Sequence, residues 1–378
     1  MGMHNYNSVL FLTLRVFSAT GGIEKVSRIV GKALYRLGLE SGNKARIYSM
    51  YDKKEEVDEK YFPKQIFYGF ATNKLKFVSE SIRQGRKSDV VILSHINLLS
   101  VGYLIKLFSP ETKLILITHG IEVWKPMTGL RKRMLAKCDL ILPVSKYTKD
   151  VMVALNNLPE NKLHVLNNCL DPFLPEPVRG EKSSVLLARY GLKKEDTILM
   201  TLTRLSIKEK YKGYDNVLQS VKVLATQYPS LKYLIVGKYD AAEKKRLDAL
   251  IEELEIQKFV VFAGFVPDEE LAEHFNLADV YVMPSKKEGF GIVFIEAMYY
   301  GKPVIAGNKD GSVDALNGGE FGLLVNPDDQ EEITAAIKNV VSNTNKYIPD
   351  HTLFMNKFSY PVYKEKIKGL LLDISKNN

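Results

Sequence analysis

The chain alternates short apolar runs with amphipathic stretches. Residues 8–14 form an apolar run of strand length, followed by the small-residue turn Ala19-Thr20-Gly21-Gly22. Over residues 23–37 the apolar positions Ile23, Val26, Ile29, Val30, Ala33, Leu34 and Leu37 recur at helical spacing, and Gly38 is the expected stop. Further strands are expected at 45–50, 90–93, 114–118 and 140–144, with helical stretches between them and a charged patch at 52–60.

Around residues 167–182 the pattern breaks into a connector containing Pro172, Pro175 and Pro177, and then restarts. Strands are expected at 197–202, 232–237, 259–263, 280–283 and 303–306, and helices at 213–227, 241–254, 268–275 and 293–300. A last helical segment covers 360–374. Repeated β-α units imply an α/β fold of parallel, doubly wound sheets. The expected organisation is two Rossmann-like domains, residues 1–170 and 171–357, with the C-terminal helix 358–378 rejoining the first. Two such domains facing across a cleft bind ligand at the carboxyl ends of their strands.

Length and charge add to this picture. The chain has 378 residues, too many for one core, which supports two domains. Two cysteines, Cys138 and Cys169, are too few for a disulfide framework or a four-ligand zinc site, and both are expected to stay reduced. The first apolar run ends at Arg15 and reads as a strand rather than a secretory leader. The longest apolar stretch, 90–105, is interrupted by His95, Asn97 and Ser100 and falls short of a spanning helix. A cytoplasmic protein is expected, with possible contact to the inner membrane face. Residues 1–170 carry 26 Lys and Arg against 14 Asp and Glu, whereas residues 171–378 carry 27 against 30. The positive surplus of the chain therefore lies in its first half. That asymmetry suits either solubility or a polyanionic partner such as an anionic membrane surface. Basic helical stretches at 74–87 and 130–137, with Trp124 just ahead of the second, are where such a contact is expected. Nucleic acid is not expected, because no recognition motif accompanies the charge.

The chemistry concentrates in one string, Pro284-Ser285-Lys286-Lys287-Glu288-Gly289-Phe290-Gly291-Ile292-Val293-Phe294-Ile295-Glu296-Ala297, which leaves a strand and enters a helix. Gly289 and Gly291 allow a tight turn and close approach of a ligand. The following helix start, at Ile292, offers N–H groups and a positive dipole end to an anion such as a diphosphate. Glu288 lies on the loop, within reach of a bound ligand. Glu296 lies inside the helix among apolar residues, where a carboxylate needs hydroxyl or N–H partners and a ribose diol would serve.

The two glutamates eight apart resemble the E-x7-E signature of glycosyltransferase family 4, retaining enzymes of the two-domain GT-B fold. The resemblance continues in Thr203-Arg204-Leu205 with Lys212-Gly213, in Gly264-Phe265-Val266-Pro267, in the segments 301–306 and 322–327, and in Gly21-Gly22-Ile23-Glu24. Departures are Asn168-Cys169-Leu170-Asp171 at the domain link and Asp314 where the family more often carries Glu. The resemblance implies a donor, a nucleotide-diphosphate sugar (UDP- or GDP-linked), held by Arg204, Lys212, Glu288, Glu296 and the Gly289–Ile292 backbone. It also gives Phe265 and Val266 the base, the Gly21-Gly22 turn the pyrophosphate, and His119 a place over the donor sugar. Read by themselves, Arg204 and Lys212 are either phosphate ligands or solvated cations, and His119 is either a site residue or a structural one. Glu122 either binds acceptor or caps a turn. No Asp-x-Asp loop is present, so no metal and no cofactor is expected; Arg204, Lys212 and the helix start would neutralise the diphosphate instead.

The implied activity is retaining hexosyl transfer to a glycan or lipid-linked acceptor in cell-surface polysaccharide or lipopolysaccharide synthesis. The competing readings are a sugar-nucleotide epimerase of the same fold, which needs no acceptor, and a non-catalytic partner subunit of a transferase.

Overall fold

The computed structural model describes residues 6–177 and 180–376. The chain divides into two compact units, one formed by residues up to 172 together with those from 358 onward, the other by residues 173–357. Part of the expected connector, residues 178–179, and the chain ends at 1–5 and 377–378 lie outside the described residues.

In the first unit β1 (Ser8–Thr13), α1 (Gly22–Ser41), β2 (Lys44–Ser49), β3 (Phe67–Gly69), α2 (Lys74–Gly85), β4 (Val90–Leu93), α3 (Leu99–Phe108), β5 (Lys113–Thr118), α4 (Gly129–Ala136), β6 (Leu140–Pro143) and α5 (Lys146–Asn156) follow one another. Their strands form one parallel sheet in the order β3-β2-β1-β4-β5-β6. All four residues of β4 are buried, as expected of a parallel strand covered on both faces, and its sequence is accordingly apolar throughout. Helix α1 turns Val26, Ile29, Val30, Ala33, Leu34 and Leu37 into this core.

Gly38 does not stop α1. The helix runs on to Ser41, and Gly42, with φ of +79°, supplies the left-handed cap, its N–H bonding to the Gly38 carbonyl at 2.9 Å. Gly38 serves a different need: a Cβ there would lie 2.7 Å from the Asn43 carbonyl oxygen, where the chain turns back towards β2. The charged patch at 52–60 is also not uniformly solvated, because Asp52 is fully buried.

The second unit repeats the pattern with α6 (Ser184–Tyr190), β7 (Thr197–Leu202), α7 (Tyr214–Leu224), β8 (Leu231–Val236), α8 (Ala241–Glu253), β9 (Val260–Gly264), α9 (Leu271–Leu277), β10 (Val280–Met283), α10 (Ile292–Tyr299), β11 (Val304–Gly307), α11 (Ser312–Ala315), β12 (Leu323–Val325) and α12 (Gln330–Ser342). Its parallel sheet has the order β12-β11-β10-β7-β8-β9. The helix expected at 268–275 opens as a single 3₁₀ turn, Asp268–Glu270, before α9. After α13 (His351–Phe358), α14 (Tyr360–Lys376) packs on α1, with Lys364 paired to Glu40 at 2.5 Å and the Leu170 N–H bonded to the Phe358 carbonyl at 2.9 Å.

Strand order reverses between β1 and β4 in one unit and between β7 and β10 in the other. Loops leaving two such strands diverge to opposite faces of the sheet, so each unit opens a crevice at the carboxyl ends there. Among the described residues, no helix is long and apolar enough to cross a membrane.

Candidate functional site

In the second unit the loops after β7, β10 and β11 lock together at the switch point. Gly213 has a φ of +80°, and a Cβ on it would stand 2.3 Å from the Pro284 carbonyl oxygen, so the β7 loop reaches the β10 loop only with glycine here. The Lys286 N–H then bonds the Tyr211 carbonyl at 2.8 Å. From the other side the Asp310 carboxylate accepts the Glu288 N–H at 2.6 Å, and the Gly311 N–H donates to the Glu288 carbonyl at 2.8 Å. Both backbone groups of Glu288 are thereby fixed.

The Glu288 side chain pairs with Lys212, and both are largely withdrawn from solvent, 13% and 16% exposed. Burial works to lower the Lys212 pKa, but the charge and hydrogen bond of Glu288 outweigh it, and the net shift is upward. Arg204 is 72% exposed and pairs with Glu209, which is itself mostly buried. Arg204 and Lys212 are therefore both held by a carboxylate. Helix α10 begins at Ile292 behind Gly291, whose φ is +85° and which has no side chain to cap the first-turn N–H groups. Phe290 is buried, so only its backbone faces the loop. Glu296, one turn into α10, is 3% exposed. Burial, with the Glu296 charge adding, pushes the Tyr300 hydroxyl upward.

At the end of β9 the Gly264 carbonyl accepts the Gly237 N–H at 2.7 Å. Phe265 stands 53% exposed with the Lys238 ammonium 4.7 Å from its ring centroid, while Val266 is buried. Phe265 thus presents an aromatic face and Val266 does not.

The remaining expected residues belong to the first unit. His119 follows β5, and its Nε2 lies 2.7 Å from the Ser94 carbonyl oxygen, which places the proton of a neutral ring on Nε2 and leaves a lone pair on Nδ1. Its backbone N–H donates to the Glu122 carboxylate at 2.5 Å. Gly120, with φ of +137°, makes that return possible. Of the two roles open to Glu122, the structure displays the turn cap. Gly21 is the N-cap of α1 and Gly22 its first residue. The loop ahead of them is tied to Asp52, which accepts the N–H groups of Val16 at 2.6 Å, Phe17 at 3.2 Å and Ser18 at 2.7 Å.

Three carboxylates of these sites escape a sequence reading. Asp52 and Glu209 sit in charged strings that read as solvated, and Asp310 lies in Asp310-Gly311-Ser312, whose turn chemistry was the available signal. Burial pushes the Asp310 carboxyl up to about 6, against the pull of its N–H partners. Between the ordinary value of 3.8 and about 6 the native state keeps a proton that the unfolded chain has released. This group therefore makes stability fall as pH rises across that window, by up to about 3 kcal/mol. Asp310→Asn is expected to remove that slope; urea midpoints from pH ~4 to ~7 that fall identically in both proteins would refute it.

Comparison with known proteins bears on the same residues. The family model for "Glycosyl transferases group 1" matches residues 186–348, and that for "Glycosyltransferase Family 4" matches residues 20–172. The chain is 28% identical over 252 residues to the GDP-mannose-dependent alpha-(1-6)-phosphatidylinositol monomannoside mannosyltransferase of Mycolicibacterium smegmatis, covering 62% of each chain. It is 33% identical over 173 residues to the D-inositol 3-phosphate glycosyltransferase of Corynebacterium jeikeium, covering 43% of this chain and 41% of that one. The chain thus spans less than two thirds of the length of these curated relatives. In fold it is similar to Anabaena Alr3699/HepE, solved in complex with UDP and glucose, with a TM-score of 0.79 at 19% identity over 97% of this chain and 99% of that one.

Proposed function

Because the chain belongs to glycosyltransferase family 4, we infer that it moves a hexose from a nucleoside-diphosphate sugar to an acceptor hydroxyl. The Lys212–Glu288 pair, set beside the α10 start at the switch point, carries this reading. A diphosphate arriving there offers Lys212 and Arg204 a stronger anion than Glu288 and Glu209, and it meets the first-turn N–H groups of α10. Released from Lys212, Glu288 turns to the hydroxyls of the sugar. Glu296 takes the ribose diol and the exposed ring of Phe265 stacks on the base. The donor is a UDP- or GDP-hexose: the mannosyltransferase relative is GDP-mannose-dependent by name, and the HepE complex contains UDP.

The proposed transfer retains configuration and needs no metal ion. The bond from the anomeric carbon to the diphosphate oxygen breaks as the acceptor oxygen attacks from the same face. The acceptor's proton passes to the departing phosphate oxygen, and the cations and helix start stabilise the charge growing there. His119, with its Nδ1 lone pair, is assigned a catalytic contribution on the sugar side. The acceptor is a glycan or a lipid-linked sugar of cell-surface polysaccharide or lipopolysaccharide synthesis.

A thermal-shift panel of UDP-, GDP- and ADP-sugars tests the donor, with stabilisation expected from one of the first two. Arg204→Ala should abolish transfer with the melting transition retained; normal turnover would sink the assignment. Donor hydrolysed or epimerised without acceptor would favour the epimerase.

A contact with anionic membrane is proposed for α4. There Leu130 is 57% exposed beside Arg131, Lys132 and Arg133. On α2, Phe77 is buried and Val78 and Ile82 pack against the unit's own core, while Leu75 near its start is exposed. Arg131→Ala/Lys132→Ala is expected to reduce pelleting with phosphatidylglycerol vesicles at low salt. Undiminished pelleting would remove α4 from the contact.

A further inference from the structure

We propose that the first unit holds a second binding site, a groove between α2 and the β2–β3 edge that takes a segment of glycan chain bearing phosphate or carboxylate groups. A cavity of about 830 Å³ lies there, lined by Arg46 and Tyr48 of β2, Tyr68 of β3, and Lys76, Arg83 and Lys87 from α2 and its C-terminal end. That volume is in the range of ligand clefts, ~300–1,000 Å³. None of the donor-facing residues belongs to it.

The sequence builds this groove from the period of its elements. Arg46 and Tyr48 alternate onto one face of β2. On α2 the polar positions Lys76, Glu80 and Arg83 share one side, while Phe77, Ser81 and Gly85 of the other are buried. Gly85 permits that burial, since a Cβ on it would lie 2.6 Å from Ile105. The basic face of α2 is therefore a wall of a concave site.

The charge in the groove is one-sided. Glu80 is its only carboxylate, and it is engaged by Arg83 at 2.5 Å. Among the described residues Arg46, Lys54, Lys76 and Lys87 have no acidic partner within ion-pair distance. Four such cations in one concavity focus a positive potential that a mobile counter-ion answers only weakly. Beside them, Tyr68 packs against Tyr48 with ring centroids 5.0 Å apart and the planes tilted by 56°, and the Lys54 ammonium lies 5.8 Å from the Tyr68 centroid. A half-buried aromatic ring next to cations and the Gln84 amide matches an acidic sugar, whose C–H face covers a ring while its charged group pairs.

The groove mouth is held rigidly. Ala71 and Thr72 are consecutive non-glycine residues at φ of +48° and +74°. That conformation is unfavourable, above all for the β-branched Thr72, and persists only where the surroundings impose it. They do so here: the N–H groups of Phe70, Ala71 and Thr72 bond the carbonyls of Ser49 at 2.9 Å, Asp52 at 2.9 Å and Met50 at 3.0 Å. Ala71 lines the cavity, so the strained loop shapes the site.

Concavity decides between the polyanions. A bilayer surface meets a convex or flat basic face, whereas a chain of sugars fits a groove. The choice of glycan rests on the transfer reading above; the site itself does not. The test is fluorescence anisotropy on the full chain without donor, using a labelled oligogalacturonide and a labelled phosphorylated oligosaccharide. At least one is expected to bind at low salt and weaken in high salt. Arg46→Ala/Lys76→Ala should then lose about tenfold or more in affinity. Lys87→Glu and Tyr68→Ala should also weaken binding, while Arg131→Ala/Lys132→Ala on α4 leaves it unchanged. Lys87→Glu, a single change near the end of α2, decides the matter if the double variant does not fold. The proposal is overturned if neither probe binds, if maltohexaose or single-stranded RNA binds as tightly, if phosphatidylglycerol vesicles displace the probe, or if the groove variants bind normally. Groove binding combined with a donor panel that gives no stabilisation would refute the transferase reading and leave this site standing.

Discussion

Glu288→Gln is expected to lower kcat/KM for hexosyl transfer by about 10²–10³ while affinity for the free nucleoside diphosphate holds or rises. The two halves of this expectation come from the same contact. In the unliganded protein Glu288 neutralises Lys212. Glutamine keeps the shape and one acceptor oxygen but gives up the charge, so a diphosphate no longer competes with a carboxylate for the ammonium. The sugar loses the charged acceptor that would hold its hydroxyls in the transition state. Lys212 reports the change through its pKa. Burial pulls it down, and Glu288, helped by the charges of Tyr211 and Glu209, reverses that pull, so in the variant the pKa is expected to fall. Nucleotide affinity of the variant should accordingly decline as pH rises through that lowered value. The native pair's stabilisation is fully present below 10.5 and is lost only as pH rises through the higher folded pKa. Removing one partner of a mostly buried pair also costs stability, towards the lower end of about 3–5 kcal/mol because some solvent reaches both groups. Steady-state kinetics and calorimetric titration with UDP and GDP, each across pH, check the set. An unchanged kcat/KM would remove Glu288 from the chemistry.

The fold was legible where an element had enough residues to display its period. Residues 197–202 and 280–283 are strands as the apolar runs require, and α1 follows its apolar positions. Phe67–Gly69 and Leu323–Val325 are three residues each, too short for alternation to register, and pairing with a neighbouring strand defines them instead. Gly38 misled because a glycine near a helix end reads as a cap, whereas here tertiary packing needs the missing Cβ and Gly42 ends the helix. At the site the polar residue types could be named from the string 284–297, but their partners could not. That Lys212 meets Glu288 across 76 positions depends on β7 and β10 being neighbours, which strand order alone decides. The same holds for Asp310, whose role is set by the Glu288 N–H it receives.

Asp52→Asn is expected to destabilise the first unit by about 1–3 kcal/mol although it changes no volume. The carboxylate is fully buried and accepts four donors: the N–H groups of Val16, Phe17 and Ser18, and the Ser49 hydroxyl at 2.5 Å. A carboxylate can receive all four because both oxygens are acceptors only. Asparagine keeps one acceptor oxygen and turns an NH₂ group towards the other donors. If that NH₂ replaces Oδ1 it faces Phe17 and Ser18, and if it replaces Oδ2 it faces Val16 and Ser49. The first rotamer leaves the part-buried Phe17 and Ser18 N–H groups without an acceptor, whereas the second leaves only the buried Val16 N–H, because the Ser49 hydroxyl can accept from the NH₂ and donate to the Leu14 carbonyl 3.2 Å away. A stranded buried donor costs about 1–3 kcal/mol before the loop relaxes. Relaxation moves the segment from Val16 to Ser18, which leads into the Gly21-Gly22 start of α1. The loss should therefore appear first as faster hydrogen exchange at those three amides, and then as a lower urea midpoint. Thermal stabilisation by the nucleotide should survive in the share that Arg204, Lys212, Glu288 and Glu296 supply, and fall only in the share that comes from the Gly21-Gly22 turn. A variant that unfolds at the native midpoint with protected amides would show that the carboxylate is not what holds this loop.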